Sequence, residues 1–286
     1  MDSTARHLWT RFEPVHDVTY FAPEALAAAD AIGMRGFWMG YVALRAAPLG
    51  AVGPAIATAA FHGFHPSRLD RALPSAWDVA DPARVLAARL HGIDAALRAV
   101  WGADVVASPQ VTEAADLAWT AAEAADTAGR VLAAANQALP RPDAPHLALW
   151  QATTTLREHR GDGHIAVLVS RGISPLASHQ IKVAADESDP ASLQLGRRFS
   201  DAAWQAGLDD LRVAGVVDGN GRLTDSGRTL HDDVEAATDA AAEGPWETLG
   251  PDATARLAEL LTPLAAAVVR SGMIPEPNPV GIVGLS

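Results

Sequence analysis

The 286-residue chain contains no cysteine, which excludes disulfides, thiolate catalysis and cysteine-based zinc sites. Lysine is nearly missing as well. Lysine and arginine together number 22, and all but Lys182 are arginine. With the heavy use of alanine, this points to a GC-rich genome and says nothing about mechanism. Long apolar runs are missing too: no stretch approaches the roughly 18 residues that a membrane helix needs. The opening MDSTARHLWTRFEP has no apolar signal core, so a cytoplasmic protein with no membrane partner is expected. Positive charge is short, at 22 basic against 34 acidic residues and a net charge of −12. A nucleic-acid ligand would therefore need a locally built positive patch.

What is present reads mostly as helix. APEALAAADAIG (22–33) puts a proline and a glutamate in a first turn and a glycine at the stop. Residues 82–101 and 113–138 are alanine-rich with apolar positions three and four apart, and each predicts a helix. PRPDAP (140–145) cannot be helical throughout and makes the clearest boundary. It divides the chain into an N-terminal unit (1–140) and a C-terminal unit (145–274), followed by a proline-rich tail (275–286) expected to be extended.

Residues 200–217 open on a Ser-Asp cap and keep Ala203, Leu208, Leu211 and Val216 near one face. Val216-Val217 and Arg222-Leu223-Thr224 then flank Asp218-Gly219-Asn220-Gly221, a hairpin signal. Thr224-Asp225-Ser226-Gly227 caps another helix carrying Leu230 and Val234. Helix, tight wing, capped helix is the order of a winged helix-turn-helix, and over about residues 196–272 it resembles the MarR-type regulators. In those proteins the last helix runs into a helical dimerisation region, which residues 246–272 resemble. The stretches YFAPE (20–24), GFWMGYVALRAAPLG (36–50), PHLALW (145–150) and REHRGDGH (157–164) together resemble an actinobacterial family of SalAI-like winged-helix proteins. That resemblance spans nearly the whole chain and implies the fold, but no activity.

The two units also match each other loosely. Leu8-Trp9 and Leu149-Trp150 open segments that reach Gly33 and Gly172, and Phe64-His65-Pro66-Ser67 stands where Phe199-Ser200-Asp201 stands later. The expected fold class is therefore mainly α: two degenerate winged helix-turn-helix-like units with short β-hairpin wings, and a MarR-like helical C-terminal region.

Charge argues against the usual work of such a fold. Residues 200–240 hold three arginines and no lysine against nine acids, with Asp209 and Asp210 on the helix that would face DNA. Arg68 and Arg71 supply the first unit better, but Asp70 lies between them.

The densest chemistry is REHRGDGH. His159 and His164 are five apart and miss the i,i+4 face of a helical zinc pair, and no phosphate-loop glycine pattern is present. The two glycines predict a turn at the N-terminus of a helix from His164 onward. His164 and Asp162 are then candidate acid–base groups, with Arg160 holding an anionic or carbonyl group. The competing reading is a plain helix cap by Asp162 with solvated Arg157 and Glu158. His16, Tyr20, Glu24 and Trp38 are expected as ligand-binding partners from the first unit, with His159 and His65. His16, His62 and His65 are the residues for a metal or haem, but no spacing is diagnostic. No metal site is assigned and the cofactor is unknown.

The expected function is a small-molecule-binding protein, an enzyme being one form of it. It would be built on a winged-helix fold that has lost DNA binding, with a ligand pocket between the halves. The alternative is a MarR-like, ligand-responsive transcriptional regulator. The expected partner is a small-molecule ligand and not a specific nucleic acid, with the chain a monomer or homodimer.

Overall fold

Helix starts are written clearly in this sequence. Proline sets φ for a first turn, and a preceding Ser, Thr or Asp accepts an amide that the helix leaves free. In the computed structural model, which describes residues 3–275, side-chain caps of this kind come from Ser3, Asp81, Ser108, Ser174, Asp189, Ser200 and Thr224. The N-terminal elements are α1 (Thr4–Phe21), α2 (Pro23–Ala31), α3 (Gly36–Ala46), α4 (Pro54–Phe61), α5 (Pro66–Asp70) and α6 (Ser75–Val79). There follow α7 (Pro82–Trp101), α8 (Ala103–Val106), α9 (Pro109–Ala124) and α10 (Val131–Gln137). The C-terminal part has α11 (Pro145–Ser170), α12 (Pro175–Ala184), α13 (Pro190–Arg197), α14 (Asp201–Val213), α15 (Asp225–Ala241), α16 (Gly244–Leu249) and α17 (Pro251–Arg270).

The predicted helix over 113–138 is broken in two. Gly129 takes a φ of 73°, the Asp126 side chain accepts the Ala128 amide, and the chain turns between α9 and α10. Helices over 22–33 and 82–101 form as expected. The proline-rich 140–144 is a loop, yet the main core crosses it. That core joins Leu8 and Phe12 of α1, Ile93 and Leu97 of α7, Trp150 of α11 and Leu257 and Leu261 of α17. Alanines 114, 115, 118, 121 and 122 of α9 belong to the same core and let α9 approach α11 closely. A second core gathers α3 to α6 around Val42, Leu69 and Leu73. A third and smaller one holds Ile181 of α12, Leu211 of α14 and Val234 of α15 against Leu168 of α11.

This third core lies where the sequence resembles a winged helix-turn-helix. Arg198 takes a left-handed φ of 68° to turn α13 into α14, and Ser200 caps α14 as its sequence predicts. The expected wing is slight. Asp218 and Arg222 close the DGNG turn through a 2.8 Å backbone bond, and Val217 and Leu223 form an antiparallel bridge. Among the described residues no regular strand forms, in either unit. The two segments matched by sequence also differ in form, since Thr4–Ala31 breaks at Ala22 while α11 is continuous. No helix among the described residues is long and apolar enough by itself to cross a membrane. The tail expected to be extended lies, beyond Pro275, outside the described residues.

Candidate functional site

REHRGDGH is not a turn. It runs through α11, an unbroken helix of 26 residues and about 39 Å. A glycine inside a helix costs about 1 kcal/mol relative to alanine, so two of them look like breakers in isolation. Packing outweighs that cost, because α11 is enclosed by α1, α7, α9, α10 and α15. Gly163 is needed for space: a Cβ there would stand 2.6 Å from Arg130 Nη1 and 3.3 Å from the Ala241 Cβ. Helical spacing then sorts the polar run into three directions. Arg157, Arg160, Gly161, His164 and Leu168 share the face that borders a cavity. Glu158 points at α3, and Asp162 at α10.

The Asp162 carboxylate accepts the Leu132 and Ala133 amides at 2.9 Å each. It therefore caps α10, not a helix starting at His164, and both the turn and the cap expected there are corrected. Burial pushes its pKa up to about 6, against the pull of those amides. Arg157 and Glu158 are not solvated either; Glu158 is 1% exposed.

The cavity, about 1150 Å³, lies between α1, α3 and α11 on one side and α12, α13 and α15 on the other. Its aromatic wall comes from Trp9, Tyr20, Phe21, Phe37, Trp38 and Tyr41. Of the residues singled out by sequence, Tyr20, Trp38, Arg160 and His164 border it together. His16 stands one layer behind, its ring bonded to Thr154 Oγ1 at 3.0 Å and to the Tyr20 hydroxyl at 3.2 Å. Burial holds His16 well below the usual imidazole pKa, so it orients Tyr20 as a neutral ring. The others lie elsewhere. His159 is buried beside Arg130, which bonds its carbonyl, and burial lowers its pKa to about 4. Glu24 sits in a separate groove with Arg270, and His65 is an exposed cap of α5 whose Nδ1 lies 2.9 Å from Ser67 Oγ. Among the described residues no three His, Asp or Glu side chains come together as metal ligands, so His16, His62 and His65 form no such group.

Sequence reasoning missed a buried ion-pair cluster behind this cavity, of which Glu13 and Arg157 reach the cavity itself. Arg45 binds both Glu158 oxygens, through Nε and Nη2 at 3.0 Å each. Arg157 reaches Glu158 at 2.9 Å and Glu13 at 3.2 Å, and the Trp9 indole donates to Glu13 at 2.9 Å. Burial works against ionised Glu158, but Arg45 and Arg157 outweigh it and hold the carboxyl far below its usual range. One turn along α1, Asp17 is fully buried and neither carboxyl oxygen has a hydrogen-bond partner. Burial and the neighbouring Glu13 push its pKa well above normal. The available signal was a lone charge in an apolar helix, as with Arg45 in GFWMGYVALRA.

The opposite wall is α15. His164 Nδ1 is 2.9 Å from Thr238 Oγ1, and burial lowers its pKa to about 4, leaving a neutral ring at pH 7. Arg160 pairs with Asp239 at 2.6 Å and stacks on Trp9 at 5.1 Å, while Arg6 joins Asp239 and Glu235. Two cations and two anions thus balance here, yet Arg160 Nη1 is buried without a hydrogen-bond partner.

Helices α12 to α15 pack as a small separate core against the long helices of the main bundle. The chain belongs to a helix-turn-helix family, whose sequence profile matches residues 5–275. No curated protein and no solved structure matches it.

Proposed function

We propose that this chain is a small-molecule-binding protein on a helix-turn-helix fold that has given up DNA binding, with its ligand between the bundle and the helix-turn-helix. The observation that carries this reading is Arg160. A buried guanidinium nitrogen without a partner is unfavourable by roughly 1–3 kcal/mol, and a ligand oxygen in the cavity would satisfy it. Aromatic walls with a few fixed polar groups are typical of sites for flat organic ligands, and a volume of this order suits one. His164, neutral and fixed by Thr238, is suited to accept or donate a hydrogen bond to the same ligand.

The loss of DNA binding is supported by α14, which stands where a recognition helix would. Its exposed residues include Asp201, Asp209 and Asp210, and its only cation, Arg212, is tied to Asp209 at 2.6 Å. Acids on that face repel phosphate.

The test measures quenching of tryptophan fluorescence by a panel of planar aromatic carboxylates and phenols, alongside gel shifts with the gene's own upstream DNA. Saturable quenching that weakens at least tenfold in Arg160→Met supports the reading. Sequence-selective DNA binding tighter than about micromolar, in the range of specific complexes, would establish the regulator instead.

A further inference from the structure

The cavity floor holds both tyrosines of the chain, and their surroundings are opposite in kind. The rings of Tyr20 and Tyr41 are 4.8 Å apart. The Tyr20 hydroxyl meets the neutral His16 ring at 3.2 Å. The Tyr41 hydroxyl is 3.5 Å from Arg45 Nη1, and Arg197 of α13, which stacks on Phe64 at 4.1 Å, also interacts with it. Three guanidiniums gather there, those of Arg45, Arg157 and Arg197. The anions facing them are Glu158 and, through Arg157, Glu13, whose own ionisation burial opposes. Fixed positive charge therefore exceeds fixed negative charge around the Tyr41 oxygen.

We propose that this cavity is a proton-transfer site in which Tyr41, held beside Arg45 and Arg197, is the base that takes the proton of a weakly acidic hydroxyl on an aromatic ligand, while Tyr20 stays protonated and donates a hydrogen bond. The ligand O–H breaks, the phenol O–H of Tyr41 forms, and the negative charge passes to the ligand oxygen. That charge stays beside the same two arginines, so it is stabilised where it develops. Phe37, Trp38 and Phe64 pack around Tyr41 and supply the aromatic surface for such a ligand.

The electrostatics agree with the geometry. Burial raises the Tyr41 pKa, but Arg45, Arg197 and Arg157 together bring it below that of free tyrosine, against Glu158. For Tyr20 burial dominates and the phenol is pushed up beyond its usual range, despite Arg45 and Arg157. Two like groups whose environments push them apart mark an acid–base assignment. The titratable groups facing Tyr41 are Tyr20 from α1, Arg45 from its own helix, Arg157 and Glu158 from α11, and Arg197 from α13.

This proposal rests on the cavity being a ligand site, and its test separates the two ideas. The full chain labelled with [13Cζ]tyrosine gives two signals, followed by NMR from pH 6 to 11. One signal should titrate below the free-tyrosine value of about 10. It should vanish in Tyr41→Phe, persist in Tyr20→Phe, and move back up in Arg197→Gln. Titration of Tyr41 at or above the free value overturns the proposal whatever the cavity binds. The second arm uses 2-naphthol, read by the absorbance of its anion. At a pH where free naphthol is neutral and the first arm shows Tyr41 ionised, wild type should bind it as naphtholate without releasing a proton, whereas Tyr41→Phe should release one proton to the buffer for each naphtholate bound. Neutral naphthol in both proteins overturns the transfer. No binding to either overturns this ligand class, with Tyr41 judged by the first arm.

Discussion

The Arg45 guanidinium grips both oxygens of Glu158 at 3.0 Å, across 113 residues of sequence. The pair joins α3 to α11 inside the protein, with side chains only 8% and 2% exposed. A planar fork on a carboxylate is the geometry that lysine cannot copy. Removing one partner leaves the other charged and buried. Arg45→Met or Glu158→Gln should therefore destabilise the fold by about 3–5 kcal/mol in urea unfolding. The double change Arg45→Met with Glu158→Leu should lose much less than the sum of the singles. Additive losses would mean that the pair is not coupled.

The two glycines of HRGDGH should respond oppositely to alanine. At Gly161 a Cβ would meet Arg157 Nη1 at 3.6 Å and Glu158 Oε2 at 3.7 Å, ordinary contacts in a helix interior. Gly161→Ala should stabilise by up to about 1 kcal/mol through reduced freedom of the unfolded chain. At Gly163 the new methyl would displace Arg130, which bonds the His159 and Ala241 carbonyls and so ties α11 to the end of α15. Gly163→Ala should destabilise, and equal melting shifts for both variants would contradict this account.

That contrast marks where sequence reading stops. Ser200 and Thr224 act as caps, and the DGNG turn closes, because each is decided by neighbours within a few residues. The REHRGDGH segment was misread as a turn because two glycines signal a break locally, whereas helices from distant parts of the chain hold α11 straight. The same limit hid the ion-pair cluster behind the cavity. Glu13, Arg45, Arg157 and Glu158 are dispersed, and only packing reveals that they meet. The cavity residues that were legible, Tyr20, Trp38, Arg160 and His164, stood out as polar or aromatic groups in runs of unusual density.

Asp162 gives a pH signature opposite in sign to that of a salt-bridged carboxylate. Its folded-state pKa is raised by burial to about 6 from 3.8, so the folded protein holds the proton more tightly than the unfolded chain. Its contribution is most favourable below about 3.8 and is lost as pH rises to about 6. A difference of this size corresponds to about 3 kcal/mol at most. Asp162→Asn keeps an oxygen for the Leu132 and Ala133 amides but removes the titration. Relative to wild type it should gain stability between pH 4 and pH 6, measured by urea unfolding at fixed pH. Asp162→Ala removes the same titration and the cap as well, so it should lie about 0.5–2 kcal/mol below Asp162→Asn throughout. A wild-type-to-Asn difference that does not change with pH would remove Asp162 as the titrating group.

Two histidines bordering the cavity, His164 of α11 and His231 of α15, should bound stability from opposite sides. His164 is neutral in the folded state, with its pKa lowered by burial from 6.5 to about 4. The unfolded chain therefore binds the extra proton first, and His164 withdraws stability as pH falls from 6.5 toward 4. His231 is the reverse case. The hydrogen bond to Glu187, at 3.1 Å, and the one to Asp232 raise its pKa to about 9 in spite of burial. Its contribution is complete below 6.5 and disappears as pH rises through about 9. His164→Gln should flatten the acid side of the stability profile, and His231→Phe should flatten the alkaline side. The two effects should add when combined, because they act in separate pH windows. If His231→Phe leaves the decline between pH 7 and pH 9 unchanged, the Glu187 pair does not hold α15 against the loop that follows α12.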